Sequence, residues 1–382
     1  MSNYPTVEYG AGALYDPNLP PAELAVIATW YPQLWPWIVN HPNAYPQLLD
    51  WLAAVGDESV RRAVAARRAI TEAPQRLRQA MTRLTGVFVG GIAIMQIVGP
   101  IVMVLAVMLD PAFINGALTG DILESPDQLT NSLGGWMILL AAGGGALYLV
   151  LRGRRLVTTD ITTTIPVGDR WNLLGLAIIA TLAAQGVGHL LSLLLGDYGQ
   201  APDPSEVGLL TGSIGMVAYV CLFGPIIEEV VFRGAILRHL APFGANFAIV
   251  TQALLFSLYH MNWNQGVFTF FLGLVFGYVA LRFSLKWSVA LHVLNNVLAT
   301  LGAVTSLSRW VLSGVTWAAL IAVLVLLWVK APARKQLVAE GRSPLITRPF
   351  ATGWKNGFFL TVVIILFAVS GMVSGMALLS AM

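Results

Sequence analysis

Glu228 and Glu229 are the only acidic side chains between Val207 and Ala339. The residues around them are overwhelmingly apolar and long enough to cross a bilayer several times. An ionised carboxylate in such surroundings is costly, and ionisable residues within membrane segments mark functional sites by default. The pair opens the run Glu228-Glu229-Val230-Val231-Phe232-Arg233. On a helix, Glu229 and Arg233 stand four apart with the acid on the N-terminal side, the favourable order for an ion pair. Glu228 is turned about 100° from that pair. The spacing therefore divides the work: Glu228 as the reactive carboxylate, Glu229 as the partner of Arg233. The alternative is that both acids share Arg233 and serve structure alone.

Two further polar groups interrupt the apolar core. One is Phe256-Ser257-Leu258-Tyr259-His260, and the other is His292-Val293-Leu294-Asn295-Asn296. His292 and Asn296 are four apart and share a helix face, and an imidazole and an amide inside an apolar helix both need partners. They could donate to a developing oxyanion or ligate a metal. Asn295 lies on another face and is the weaker choice. Together these residues make a hydrolytic set. A glutamate can take a proton from water, and an imidazole can orient that water or protonate a leaving amine. Donors placed where negative charge develops stabilise a tetrahedral intermediate. No G-x-S-x-G nucleophile motif occurs, and Cys221 has no evident base. Direct attack by activated water is the simpler chemistry.

The three groups read E-E-x-x-x-R, F-x-x-x-H and H-x-x-x-N, intact and in order. This resembles the CAAX prenyl protease and bacteriocin-processing (CPBP, or Abi) family of intramembrane peptidases, over roughly residues 170–305. The resemblance implies proteolysis in or near the bilayer. In it, Glu228 and His260 activate water, His292 and Asn296 form the oxyanion site, and Glu229, Arg233 and Phe256 support them. It also implies a membrane-associated substrate, with lipidated CAAX-like peptides among the family's substrates. The family is often called metalloprotease. A zinc site needs about three protein ligands and an open position, which Glu228, His260 and His292 could supply. No H-E-x-x-H occurs, and the reading adopted is a glutamate-activated water without an obligatory metal.

The elements that must position these residues are helical. Hydrophobic residues make up 57% of the 382-residue chain and charged residues 11%, against roughly 25% charged in a soluble domain. The expected fold is all-α: a polytopic transmembrane bundle of about eight or nine helices behind a small soluble helical-repeat domain. Apolar runs of spanning length fall at residues 86–109, 134–151, 172–195, 207–226 with a continuation to 240, 245–259, 266–283, 288–304, 314–329 and 357–379. Basic groups near Arg152, Arg233/Arg238, Arg282/Lys286 and Lys330–Lys355, with the arginine-rich stretch before residue 86, fall on alternate sides. They place the N-terminus in the cytoplasm of a multi-pass cell-membrane protein. Simple counting then sets His260 too deep to meet Glu228. A bend at Gly224-Pro225 and irregular backbone over Asn262–Gly266, lining a water-filled cavity, are expected to reconcile them.

Residues 1–58 are rich in Pro, Trp and Tyr and repeat a short element, Tyr31-Pro32-Gln33-Leu34 and Tyr45-Pro46-Gln47-Leu48. Short helices that cannot bury a face alone must stack. The segment resembles the variant leucine-rich repeats that precede some bacterial membrane proteins, and a protein partner is expected there. Residues 59–85 carry seven arginines on a basic helix suited to membrane lipids; no nucleic-acid motif accompanies it. The transmembrane domain is expected over residues 86–382, with its catalytic core at about 170–305. Single histidines elsewhere get structural readings, His189 as an interhelical hydrogen-bonding residue. Two other functions fit the composition: a non-proteolytic scaffold or bacteriocin-immunity factor on the same fold, and a transporter using Glu228 and His260 as a proton relay. An intact triple motif favours the peptidase, and no inverted repeat supports transport.

Overall fold

The computed structural model describes residues 6–109, 143, 167–195, 217–304 and 306–380. The described residues are helical, with no strand among them. The apolar run at 134–151, all of it but residue 143, and the start of the run at 207–226 lie outside the described residues, as do Arg152, Arg154 and Arg155. The chain divides into two compact units, Met1–Arg76 and Leu77–Met382, and the division falls within one long helix.

The first unit stacks α1 (Val7–Ala13), α2 (Pro21–Trp30), α3 (Trp35–Asn40) and α4 (Pro46–Val55) with the start of α5 (Glu58–Leu109). The repeated Tyr-Pro-Gln-Leu element starts a helical turn in both copies, with Pro32 and Pro46 in the first turn. Proline's fixed φ and missing N–H cost nothing at that position. The leucines of the element, Leu34 and Leu48, join Ile27, Ile38, Leu52 and Val64 in one core. Several arginines of α5 hold this stack together. The Arg67 guanidinium donates to the carbonyls of Asn40, His41 and Pro42, Arg68 pairs with Asp50, and Arg61 donates to Gly56 O. Arg62 and Arg76 pair within the helix with Glu58 and Glu72. The basic face is thus largely engaged by the chain's own acceptors. Asp57 accepts from the Val60 N–H, a hydrogen bond that lowers its carboxyl below the usual carboxylate range.

The second unit is a bundle of α6 (Val167–Leu195), α7 (219–240), α8 (Ala245–Tyr259), α9 (Trp263–Arg282), α10 (Leu285–Val304), α11 (Ser306–Val329), α12 (Ala331–Glu340), α13 (Pro349–Gly353) and α14 (Gly357–Ser380). The basic segment Lys330–Lys355 thus contains two helices. Among the described residues three helical stretches are long and apolar enough to cross a membrane: Trp171–Leu191, Gln265–Arg282 and Trp310–Val329. In α11, Trp310 and Trp328 are 80% and 82% exposed at the two ends. Eighteen residues of helix separate them by about 27 Å, close to a hydrocarbon thickness of about 30 Å, the spacing of paired aromatic anchors. Exposed Val311, Ile321 and Leu324 between them suit lipid.

Small residues bring the helices close, as membrane packing requires. A Cβ on Gly186 of α6 would lie 2.7 Å from Thr316 O of α11, and one on Gly273 of α9 would lie 2.9 Å from Ala253 of α8. Beside Gly186, His189 Nδ1 is 2.9 Å from Thr316 Oγ1, the interhelical bond expected of that histidine. At one end of the bundle the end of α12 meets α8 and α9: Gly341 O accepts from Asn246 N, and the Arg282 side chain pairs with that of Glu340. The ends near Gly244 and Arg282 therefore share a side, as the charge pattern requires of them. Arg233, counted among those flanking charges, is instead fully buried, leaving Arg238 to mark that end of α7.

Gly186→Val should separate α6 from α11 at Thr316. The cost of forcing a side chain into a packed contact is about 1–3 kcal/mol, read as a lower midpoint of thermal unfolding in detergent. An unchanged midpoint would contradict the close approach.

Candidate active site

The site is assembled by three helices, α7, α8 and α10, with α9 behind them. Within α7, Tyr219–Phe223 and Val230–Leu237 form wide, π-helical turns on either side of Gly224–Glu229. Such turns concentrate at functional sites. The sequence explains the first of them. The Gly224 N–H bonds back five residues to Tyr219 O, and a Cβ at Gly224 would lie 2.9 Å from that oxygen. Pro225, next in line, has no N–H to give. Val220 O loses its donor in this register and accepts instead from Asn296 Nδ2 at 2.8 Å. Gly224-Pro225 thus widens the helix and leaves a carbonyl for α10 to cap.

Glu229 and Arg233 are both fully buried. Glu229 Oε1 lies 2.9 Å from Arg233 Nη1 and 3.0 Å from His292 Nδ1, and Oε2 lies 2.5 Å from Ser288 Oγ. Every oxygen of this carboxylate is engaged. The Arg233 guanidinium is paired by charge but its N–H groups are not aligned on an acceptor. It lies 4.3 Å from the centre of the Phe256 ring and 5.3 Å from that of Phe276. Aromatic faces stabilise a desolvated cation by about 2 kcal/mol. Phe256, the first residue of F-x-x-x-H, thereby acquires a physical role. Its ring also packs edge-on against His260 at 4.9 Å and His292 at 5.8 Å.

Glu228 differs from its neighbour. It is 19% exposed, and its Oε2 lies 3.7 Å from His292 Nε2. His260, Tyr219 and Tyr259 lie within electrostatic reach of its carboxylate. His260 ends α8, and its Nδ1 is 2.8 Å from Phe256 O. A proton held there leaves Nε2 as an acceptor. His292 has the complementary arrangement, with Nδ1 donating to Glu229 and Nε2 facing Glu228.

His260 is therefore not too deep. Glu228 lies sixteen residues before Gly244 and His260 sixteen after it, so two antiparallel helices carry them to the same height, about 24 Å from the turn. Backbone irregularity over Asn262–Gly266 does not occur. The Asn262 side chain caps α9 by accepting from Gln265 N at 3.1 Å, and the helix runs from Trp263. The whole connection is His260–Asn262, made tight by Met261 in the left-handed region at φ 50°.

A zinc ion at this site would have to be held by Glu228, His260 and His292. Among the described residues no group of three His, Cys, Asp or Glu is arranged to hold a metal ion. Each imidazole has one nitrogen engaged by the protein and one left, an arrangement shared by metal-ligating and acid–base histidines, and Glu228 Oε2 lies 3.7 Å from His292 Nε2. Asn296, expected as a free donor, has one N–H committed to Val220 O, and its Oδ1 accepts from Asn295 at 3.0 Å. Ser288, which closes the shell of Glu229, was missed in the sequence. It sits four before His292, and that spacing alone places both on one face.

Glu229→Gln should leave Arg233 as an unpaired buried charge. Breaking one partner of such a pair costs about 3–5 kcal/mol, so thermal stability and yield in detergent should fall sharply. A variant as stable as the parent would show that the aromatic rings alone hold the cation.

The type II CAAX prenyl endopeptidase Rce1-like family model matches residues 210–298, the stretch that carries all three motifs. The leucine-rich repeat variant domain matches residues 8–68. Comparison with curated proteins and with solved structures returned no significant match. The family resemblance carried by Glu228-Glu229…Arg233, Phe256…His260 and His292…Asn296 thus holds over residues 210–298, joined in one chain to a leucine-rich repeat variant domain.

Proposed function

We propose that the chain is an intramembrane endopeptidase that hydrolyses a peptide bond of a membrane-associated substrate, with Glu228 as general base. The match to a CAAX prenyl endopeptidase family supports a membrane protease of that family. The observation that carries the mechanism is the unequal state of the two carboxylates. Glu229 is fully buried and held by Arg233, His292 and Ser288, whereas Glu228 is partly exposed beside His260 and His292. Only Glu228 can meet water.

In the proposed reaction a water molecule lies between Glu228 and Nε2 of His260. Glu228 takes one proton as the oxygen attacks the scissile carbonyl carbon. The carbonyl electron pair moves to oxygen, and the oxyanion is met by Nε2 of His292 and the second N–H of Asn296. His292 keeps its Nδ1 proton for Glu229, 3.0 Å away, so it donates from Nε2 as the imidazolium, whose charge meets that of the oxyanion. Collapse of the intermediate breaks the C–N bond, and Glu228 returns its proton to the leaving amine. One water is consumed, and the acid and amine released exchange a proton to leave as a carboxylate and an ammonium. The family's name points to lipidated C-terminal CAAX peptides as the first substrates to try. Orientation with the N-terminus in the cytoplasm follows from the charge pattern, and the repeats over residues 8–68 offer a surface for a protein partner.

Glu228→Gln keeps the shape of the side chain and removes its basicity. The purified, detergent-solubilised variant should unfold at the parent's temperature and cleave a farnesylated CAAX peptide at least about a hundredfold more slowly. A fully active variant would sink the assignment. Activity lost to a chelator and restored by zinc in the parent would replace it with metal-dependent chemistry.

A further inference from the structure

A carboxamide can donate to an oxyanion only if its NH2 end faces the reacting group. A half-turn about the last bond exchanges nitrogen and oxygen with almost no change of shape. Something must therefore hold Asn296 the right way round, and three helices contribute to doing so. Asn296 Nδ2 donates to Val220 O of α7 at 2.8 Å, and its Oδ1 accepts from Asn295 Nδ2 at 3.0 Å. Asn295 Oδ1 accepts in turn from Gln185 Nε2 of α6 at 2.9 Å. The chain of amides has one direction. Each member uses its nitrogen toward the next and its oxygen toward the last, so reversing any of them sets oxygen against oxygen on one side. Asn295 is buried, Gln185 is half-buried, and an amide left unpaired there is destabilising. The terminal acceptor, Val220 O, is free only because Gly224-Pro225 deprives it of a helical donor.

We propose that Gln185 and Asn295 are positioning residues for the hydrolysis: they lock the Asn296 amide with its nitrogen toward Val220 O, which keeps the second N–H available to the oxyanion. The proposal rests on the role given to Asn296 above. It adds α6, a helix outside the three motifs, to the parts that set the site. It also gives Asn295, the weaker choice by sequence, the task of orienting its neighbour.

Asn295→Asp separates this role from simple packing. The carboxylate still accepts from Gln185 but cannot donate to Asn296, and it attracts the Asn296 nitrogen instead of its oxygen. With a farnesylated CAAX peptide and the full-length detergent-solubilised protein, kcat should fall about tenfold to a hundredfold while KM changes little, because a misplaced donor acts on the transition state. Gln185→Ala, remote from the reacting atoms, should give a smaller fall of the same kind. Asn296→Ala is the control. If it keeps full activity, the assignment of Asn296 falls and this proposal with it. If it is impaired while Asn295→Asp and Gln185→Ala keep the parent's kcat, the proposal alone falls. A second readout needs no substrate. In protein labelled with 15N-asparagine, the Asn296 NH2 signal, identified by its loss in Asn296→Ala, should move in Asn295→Asp and in Gln185→Ala. An unmoved signal overturns the proposal whatever the peptidase assay shows.

Discussion

A fully buried ion pair organises the core of this protein. Placing a carboxylate and a guanidinium where water cannot reach costs several kcal/mol per ion, and Coulomb attraction offsets it only when the remaining polar atoms are also satisfied. Glu229 meets that condition with Arg233, His292 and Ser288. Arg233 meets it differently, through the faces of Phe256 and Phe276. The demand for compensation recruits α7, α8, α9 and α10 at once, and the same groups fix the two histidine rings. Phe256 packs on both imidazoles, and Glu229 holds Nδ1 of His292. An ion pair with no direct part in the proposed chemistry thus sets the geometry of the residues proposed to carry it.

A second constraint is the main chain of α7. In an apolar interior every carbonyl needs a donor, and a proline removes one. Here the deficit at Val220 is made good by a side chain from α10. The helix stays continuous through Gly224-Pro225 and Glu228 keeps its register, while Asn296 is tied to the element that carries the carboxylate. A local defect in one helix thus becomes a positional link between two parts of the site.

Much of this was legible in the residues. Glu229 and Arg233 at helical spacing identified the structural pair, and Glu228, left over, is the acid proposed to react, because charge in an apolar segment must be either compensated or used. Apolar periodicity and composition gave an all-helical membrane bundle, and the repeated Tyr-Pro-Gln-Leu element gave the stacked N-terminal helices. The errors came from treating helices as vertical rods with frayed ends. His260 was set too deep because the residue count from the shared turn at Gly244 was not made. Asn262–Gly266 was read as irregular because its polarity was noticed before its capping asparagine. The arginines after residue 58 suit lipid headgroups by composition, and among them Arg67 and Arg68 also bond the repeats; nothing in a basic helix tells which acceptors lie opposite.

The sequence by itself determined which residue types occupy the core, how they are spaced on their own helices, and hence the chemistry available: a base, two imidazoles and an amide. Those follow from the 3.6-residue repeat and from the cost of polar groups in an apolar medium, both local rules. Only the tertiary structure decided which carboxylate is sealed, which ring nitrogen each histidine has left, and which way round the Asn296 amide is held. These depend on partners from other helices: Ser288, Phe276, Val220 and Gln185. Two groups distant in sequence meet through the packing of the whole bundle, and no spacing along a single helix encodes that meeting.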